Sequence, residues 1–284
     1  MIGRLRTYAS FVRFSHSVFA LPFALVGVLL ASRRVEFDWI RLLWIGLCML
    51  AARSAAMGFN RLVDAGFDAR NPRTANRELP AGKMSVLEAR LFVLASSAAF
   101  VIFSAQLGAL CLALSPVALA IVFWYSVAKR VTAYTQAYLG LAMAVAPVGG
   151  WIAVGGPATP EPVWLAVAIG TWVAGFDVLY ACQDLEFDRK EGLKSIPVRF
   201  GIRRALTISR GLHGVTVLAL AVVGGYAGLN GIYVIGVIAV GALLVFEQSL
   251  VRPDDLSQVK RAFDMNGWVG ILYLATTAAA VYWG

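Results

Sequence analysis

The chain has 284 residues, of which 60% are hydrophobic and only 14% charged. A soluble globular domain is nearer half apolar and a quarter charged, so this composition excludes an ordinary soluble domain and points to an all-α, polytopic membrane protein. The formal net charge of +9 is not a nucleic-acid signature, because the basic residues lie between apolar runs. Retention of cytoplasmic loops, anionic lipid and an anionic substrate account for them better.

A bilayer-spanning helix needs about 20 mainly apolar residues. Nine stretches qualify, at residues 14–32, 39–63, 87–106, 109–127, 136–154, 162–183, 206–226, 230–250 and 264–283. The first is long enough to stay as a helix and has no small-residue cleavage site, so it is not expected to be a signal peptide. No linker or low-complexity segment divides the chain, and residues 1–284 are expected to form one transmembrane domain. The connections at 106–108, 155–161 and 226–230 are short and contain no Lys or Arg. The basic residues gather at Arg4, Arg6 and Arg13, between Arg61 and Arg90, at Lys129 and Arg130, between Arg189 and Arg210, and at Arg252, Lys260 and Arg261. Only Arg33, Arg34 and Arg41 fall on the other side, and Arg53 lies within a span. By the positive-inside rule the N-terminus is cytoplasmic and the protein belongs to the inner membrane. Cys48, Cys111 and Cys182 each lie in an apolar run without metal-ligand spacing, so neither disulfides nor a thiol nucleophile is expected.

Two acidic stretches interrupt this apolar pattern. Asn60, Asp64 and Asp68 close the second span, and Tyr180, Asp184 and Asp188 close the sixth, at a constant offset of 120 residues from Asp64 to Asp184. Each is followed by a basic segment with a proline: Arg70, Arg73, Arg77 and Pro80 after the first, Lys190, Lys194, Pro197 and Arg199 after the second. This reads as an internal duplication, two pseudo-repeated halves with facing acidic clusters on the cytoplasmic side. Residues four apart share one helical face, and seven residues return nearly to the starting azimuth. Arg53, Asn60, Asp64 and Asp68 therefore form one stripe, and Asp177, Tyr180, Asp184 and Asp188 another. An Asp and an Arg at a helix end can simply cap and pair at the interface. Repetition at a fixed offset argues for a site instead, since charge at membrane depth is costly.

Facing carboxylate clusters repel unless a cation lies between them. Mg²⁺ takes oxygen ligands, typically one or two carboxylates plus phosphate oxygens. The pattern suits a diphosphate held by two or more Mg²⁺, with Arg70, Arg73, Arg77, Lys129, Arg130, Lys190 and Lys194 neutralising the remaining oxygens.

At these residues the sequence resembles the UbiA superfamily of intramembrane aromatic prenyltransferases. The family's Asn-x-x-x-Asp-x-x-x-Asp is met by Asn60, Asp64 and Asp68, followed by Arg73, Thr74, Arg77, Leu79, Pro80 and Gly82. Its Asp-x-x-Tyr-x-x-x-Asp-x-x-x-Asp is met by Asp177, Tyr180, Asp184 and Asp188. The stretch from Trp124 to Arg130, with Thr132, Gln136 and Gly140, is similar to the family's fourth-helix exit, and the likeness continues to Lys260, Arg261, Ala262, Phe263, Asn266 and Gly267. Within the family it looks most like the 4-hydroxybenzoate polyprenyltransferases, and more narrowly like a bacterial branch with Gly-Phe-Asn-Arg at the first motif, often found with futalosine-route menaquinone synthesis. Arg61 stands where the ubiquinone-type enzymes usually carry Asp.

The resemblance implies nine helices around a central cavity, Mg²⁺ dependence, and transfer of a polyprenyl chain from a polyprenyl diphosphate to an aromatic acid. Asp64, Asp68, Asp184 and Asp188 would hold Mg²⁺, with Asn60 as a neutral oxygen ligand. Lys129, Arg73 and Lys190 would stabilise the leaving diphosphate. The acceptor's carboxylate needs a cation, for which Arg53 and then Arg13 are the candidates, with Asp177 and Tyr180 beside them. Arg53 can instead pair structurally with Asp177. Tyr180 and Tyr125 can face a carbocation or be ordinary bundle filler. His16 reads as a polar cap, and His213 has no assigned role.

A transporter of an anionic substrate is the rival reading from another class, since internal repeats and intramembrane acids are common there. Transporter sites usually lie near the midplane at broken helices, whereas these acids run into basic loops. A CDP-alcohol phosphatidyltransferase carries its acids in one cluster after an Asp-Gly, which is missing at the first motif here.

Overall fold

In the computed structural model the chain is described at residues 7–8, 10–12, 21–36 and 38–283. From residue 21 onward the described residues form these α-helices in order: α1 (Leu21–Ala31), α2 (Trp39–Arg70), α3 (Val86–Leu107), α4 (Ala109–Val131), α5 (Thr135–Ala153), α6 (Pro160–Ala181), α7 (Leu185–Lys190), α8 (Ile196–Ala227), α9 (Gly231–Ser249) and α10 (Val259–Tyr282). A 3₁₀ turn at Cys182–Asp184 joins α6 to α7. The protein is thus all-helical and a multi-pass membrane protein. Among the described residues seven helices are long and apolar enough to cross a bilayer, with α6 and α7 acting as one. Of the nine expected spans, the first is represented by the apolar α1, and residues 14–20 of that span lie outside the described residues. The last is the 24-residue α10, which is long enough but less apolar than the seven.

Expected and observed boundaries differ where charge enters a helix without ending it. The apolar pattern predicts that the second span stops at residue 63, yet α2 runs to Arg70. Asp, Arg and Ala are all compatible with helix, and the stop comes at Asn71, which precedes Pro72, a position where the α region is disfavoured. The same pattern predicts the seventh span from residue 206, but α8 begins at Ile196, with the Ser195 hydroxyl accepting from the Val198 N–H at 3.4 Å. Gly201 breaks α8 with φ +77. A Cβ there would meet nothing, so glycine is needed for its backbone angle and not for space. Other ends are capped by side chains. Ser85 and Glu88 form a reciprocal capping box on α3, with bonds of 3.1 and 2.9 Å. Asn230 accepts from the N–H groups of Ile232 and Tyr233 at the start of α9.

The helices belong to two compact units. One comprises residues 39–128 with the described residues before 13, and the other residues 21–38 and 129–283. In the first unit α2 packs on α3, and Phe59 meets Phe123 of α4 at 4.6 Å between ring centroids. Leu87, Leu91, Leu94 and Ile102 on α3, and Leu110, Leu112 and Leu114 on α4, are exposed. Apolar side chains in such number suit a hydrocarbon solvent.

The second unit holds α1 and α5–α10. Helices α1 and α5 cross with backbones almost touching: a Cβ on Gly27 would strike the Pro147 carbonyl, and one on Gly150 would lie 2.5 Å from the Ala24 carbonyl. Small residues at a crossing let membrane helices gain dispersion energy where burial alone gains little. On the loop after α1, Arg34 pairs with the buried Glu161 at the start of α6, and Arg33 donates to the Ala227 carbonyl at the end of α8. Two of the three basic residues that depart from the positive-inside pattern are therefore tie points between helix ends.

Candidate active site

In the first unit the unbroken α2 carries Arg53, Asn60, Asp64 and Asp68 along one side. Asp64 and Asp68 are 3% and 7% exposed, and Asn60 and Arg53 are half-buried. The Asn60 amide donates to Asp64 Oδ2 at 3.3 Å. The loop after α2 folds back on its last turn: Thr74 Oγ1 donates to the Asp68 carbonyl at 3.1 Å, and Arg77 Nη1 donates to both Asp68 carboxylate oxygens at 2.7 and 2.8 Å. One guanidinium nitrogen thus spans both oxygens, while Arg77 Nε stays buried without a partner among the described residues. Arg70 lies over the Phe67 ring at 5.1 Å, and Arg73 is exposed with its N–H on Asn71 Oδ1. Arg61, one position beyond Asn60, does not share the acidic stripe. It is 4% exposed, and its Nε donates to the Phe11 carbonyl at 3.4 Å. Arg13 and His16 lie outside the described residues.

In the second unit the expected continuous stripe from Asp177 to Asp188 is interrupted. Helix α6 ends at Ala181, and Asp184 sits at the N-cap of α7 with φ −97 and ψ 5. The Gln183 side chain donates to the Tyr180 carbonyl at 2.9 Å, competing with the helical ladder at that point. Asp177 lies within electrostatic range of Asp184, Asp188 and Lys129, so the break does not scatter the group. The Tyr180 ring packs on Phe263 of α10 at 4.7 Å.

The turn between α4 and α5 is fastened to the segment after α7, which fixes Lys129. The Lys194 N–H donates to the Lys129 carbonyl at 2.7 Å, and the Ile196 N–H donates to the buried Gln136 Oε1 at 3.2 Å. Lys194 Nζ donates to the Val131 carbonyl at 3.1 Å, so its ammonium closes the end of α4 and does not reach toward the carboxylates. Arg130 is half-buried, and Lys190 is exposed in the last turn of α7.

The candidate donors are carboxylate oxygens with one amide oxygen, a hard set that fits Mg²⁺ by its chemistry. Among the described residues, no three His, Cys, Asp or Glu side chains converge on one metal position. Phosphate oxygens from a substrate would have to complete the coordination.

Sequence reasoning misses a buried polar network behind the second motif. Trp172 Nε1 donates to Asn266 Oδ1 at 2.8 Å, and Asn266 Nδ2 donates to Glu247 Oε1 at 3.0 Å. Beside it Ser209 Oγ donates to the Gly175 carbonyl at 2.7 Å, and Gln248 Nε2 contacts Ser209 Oγ and His213 Nδ1 at 2.7 and 3.0 Å. Both chains end on α6, at Trp172 and Gly175, just before Asp177. The available signal is the Glu247-Gln248 pair closing an apolar run.

The model of the UbiA prenyltransferase family matches residues 20–270. This chain belongs to the UbiA prenyltransferase family. It is 35% identical over 235 residues to the 4-hydroxybenzoate octaprenyltransferase of Thiobacillus denitrificans, covering 82% of this chain and 79% of that protein. Among solved structures it resembles the apo UbiA homologue of Aeropyrum pernix K1, with a TM-score of 0.85, 32% identity, and coverage of 92% and 96% of the two chains. It shares its fold with the UbiA homologue of Archaeoglobus fulgidus bound to GPP and Mg²⁺, at a TM-score of 0.73 and 21% identity, covering 97% and 99%. Like the rest of the UbiA prenyltransferase family, this chain is a prenyltransferase enzyme.

Proposed function

We propose that this prenyltransferase moves a polyprenyl chain from a polyprenyl diphosphate to 4-hydroxybenzoate, at the ring carbon ortho to the hydroxyl, in quinone biosynthesis. The observation that carries the reading is the pair of acidic groups, Asp64 and Asp68 on α2 and Asp177, Asp184 and Asp188 around the α6–α7 break, each with a cation beside it. Relatives at about a third identity bear the name 4-hydroxybenzoate octaprenyltransferase, and a protein of the same fold binds GPP with Mg²⁺. The proposal includes nine spans in a single domain around a central cavity, with both motifs at the cytoplasmic face of the inner membrane. The distribution of Lys and Arg supports that orientation.

Asp64, Asp68, Asp184 and Asp188, with Asn60, would hold Mg²⁺. When bound, Mg²⁺ supplies Lewis-acid neutralisation of the diphosphate. Lys129, Arg73 and Lys190 stabilise charge growing on the leaving group, with Arg70, Arg77, Arg130 and Lys194 as further diphosphate partners. Stabilising charge where it develops is commonly the largest catalytic contribution. Lys194 reaches that role only by leaving the Val131 carbonyl. Arg53 and Arg13 bind the acceptor's carboxylate, with Asp177 and Tyr180 beside the ring. The C–O bond to diphosphate breaks to leave an allylic cation shielded from water, the ring carbon then attacks that cation, and loss of the ring proton restores aromaticity.

The alternative acceptor is a futalosine-route intermediate, and the feature favouring it is Arg61. That arginine is buried against Phe11, so the residue replacing the usual Asp is held by the chain itself. The test supplies membranes carrying Asp64→Ala or Asp184→Ala with Mg²⁺, radiolabelled prenyl diphosphate and either acceptor. Loss of product from both variants is expected. Undiminished product from either one removes that aspartate from the proposed site, and uptake driven by membrane potential without Mg²⁺ supports a transporter instead.

A further inference from the structure

At the start of α10 a shallow cavity of about 390 Å³ is lined by Ser257, Lys260, Arg261, Asp264, Met265 and Trp268. Arg261, Asp264 and Trp268 recur at spacings of three and four residues, so they form one stripe down α10, and Ser257 lies in the turn just before the helix. Lys260, Arg261 and Asp264 are exposed, and Trp268 is 67% exposed. Among the described residues the Lys260 and Arg261 side chains have no ion pair and no hydrogen bond. Asp264 lies at pairing distance in sequence from both, yet binds neither.

The stripe changes character along its length. Its first two turns carry charge, and from Trp268 the same side continues with the 44% exposed Ile271. A Trp at the boundary between charged and apolar helix is the usual mark of the headgroup layer, with its indole across the polar–apolar border. Two unpaired cations against one carboxylate leave one net positive charge over the groove.

We propose that this groove binds an anionic phospholipid, with the phosphate between Lys260 and Arg261 and the upper acyl chain against Met265, Trp268 and Ile271. The inference rests on the multi-pass membrane character of the chain and not on the proposed acceptor or metal site. Arg261 offers a planar fork suited to two phosphate oxygens, and Lys260 adds a point charge. A zwitterionic lipid brings no net charge for the excess cation to meet. A free phosphate meets the cations but leaves Trp268 and Ile271 uncovered.

The experiment is native mass spectrometry of the purified full chain, titrated in detergent with phosphatidylglycerol, phosphatidylethanolamine, phosphatidylcholine or inorganic phosphate. One Lys or Arg near an anionic headgroup is worth about a factor of five in binding, so two, opposed by Asp264, give about a fivefold preference for phosphatidylglycerol over phosphatidylcholine. The double variant Lys260→Gln/Arg261→Gln is expected to lose that preference while still retaining phosphatidylcholine. Asp264→Asn is expected to raise it several-fold, a gain that a misfolded protein would not mimic. An unchanged preference in the double variant, or no gain with Asp264→Asn, overturns the proposal. Phosphatidylethanolamine binding as well as phosphatidylglycerol overturns the anionic assignment. Inorganic phosphate saturating the same cations without lipid overturns the lipid assignment.

Discussion

Arg77→Gln separates two roles that the contact with Asp68 combines. Arg77 Nη1 lies 2.7 and 2.8 Å from the two carboxylate oxygens, and the side chains are 20% and 9% exposed. On the proposed reading, a metal reaching Asp68 must displace that guanidinium. Close charge pairs couple by about 1.5–7 kcal/mol in measured cycles. Only one nitrogen is engaged here and Arg77 is partly solvated, so a value near the lower end, about 2 kcal/mol, is appropriate. At about 1.4 kcal/mol per factor of ten, Arg77→Gln should tighten divalent-metal binding without substrate about 30-fold. The assay is titration with Mn²⁺ as a paramagnetic stand-in for Mg²⁺, followed by electron spin resonance, in the wild type, Arg77→Gln, Asp68→Asn and the double variant. Prenyl diphosphate should bind more weakly to Arg77→Gln, since a phosphate partner is also lost. Unchanged or weaker Mn²⁺ binding in Arg77→Gln refutes the competition. A tightening that persists when Asp68 is also Asn places the metal elsewhere.

Arg53→Ala should raise the KM for the aromatic acid more than that for the diphosphate, and the opposite pattern in steady-state kinetics removes Arg53 from the acceptor site. Asn266→Ala leaves Trp172 Nε1 and Glu247 Oε1 without their bonds to the amide. Interhelical hydrogen bonds in membranes average well under 1 kcal/mol, although buried orphans cost more, so a total of about 2 kcal/mol is expected from thermal unfolding in detergent. Glu247→Gln should cost much less, because its amide oxygen still accepts from Asn266 Nδ2; equal losses for the two variants contradict the hydrogen-bond account. Arg34→Ala strands Glu161, whose side chain is 2% exposed, but Arg34 itself is 39% exposed, so the loss should be about 1–2 kcal/mol. Adding Glu161→Gln should recover part of it, and no recovery would mean that the pair contributes through packing alone.

The apolar runs make most helices legible in the sequence, and the i, i+4 spacing makes the acidic stripe of α2 legible, because both are local periodicities. The features that escape a reading of the sequence depend on partners distant along the chain or on side chains that bind backbone. Arg61 stands out as unusual, but its place against the Phe11 carbonyl is set by a contact fifty residues away. Charge alone groups Lys194 with the phosphate-binding cations, whereas its ammonium meets the Val131 carbonyl at the end of another helix. Glu247 and Asn266 each look like isolated polar residues in apolar runs, and only the packing of α9 on α10 pairs them. Gly201 lies in a stretch that reads as a basic loop, where nothing local indicates that helix continues on both sides of a positive φ.

The two acidic motifs share a sequence form but not a backbone. Helix α2 passes through Asn60, Asp64 and Asp68 without interruption, so these residues keep one azimuth. The second motif crosses three residues of 3₁₀ turn, each advancing about 120° instead of about 100°, which rotates α7 by about 60° relative to a continuous α-helix. Asp177 and Tyr180 therefore point along a different direction from Asp184 and Asp188, although all three carboxylates stay within electrostatic range. On the proposed reading this rotation serves the reaction. The diphosphate end needs carboxylates that reach a metal, and the acceptor end needs groups beside an aromatic ring, and one straight helix would send both sets the same way. The network from Glu247 through Asn266 to Trp172 and from Gln248 through Ser209 to Gly175 holds α6 in register just before that rotation begins. The first motif needs no such brace, because the return of Arg77 and Thr74 onto Asp68 fixes its end directly.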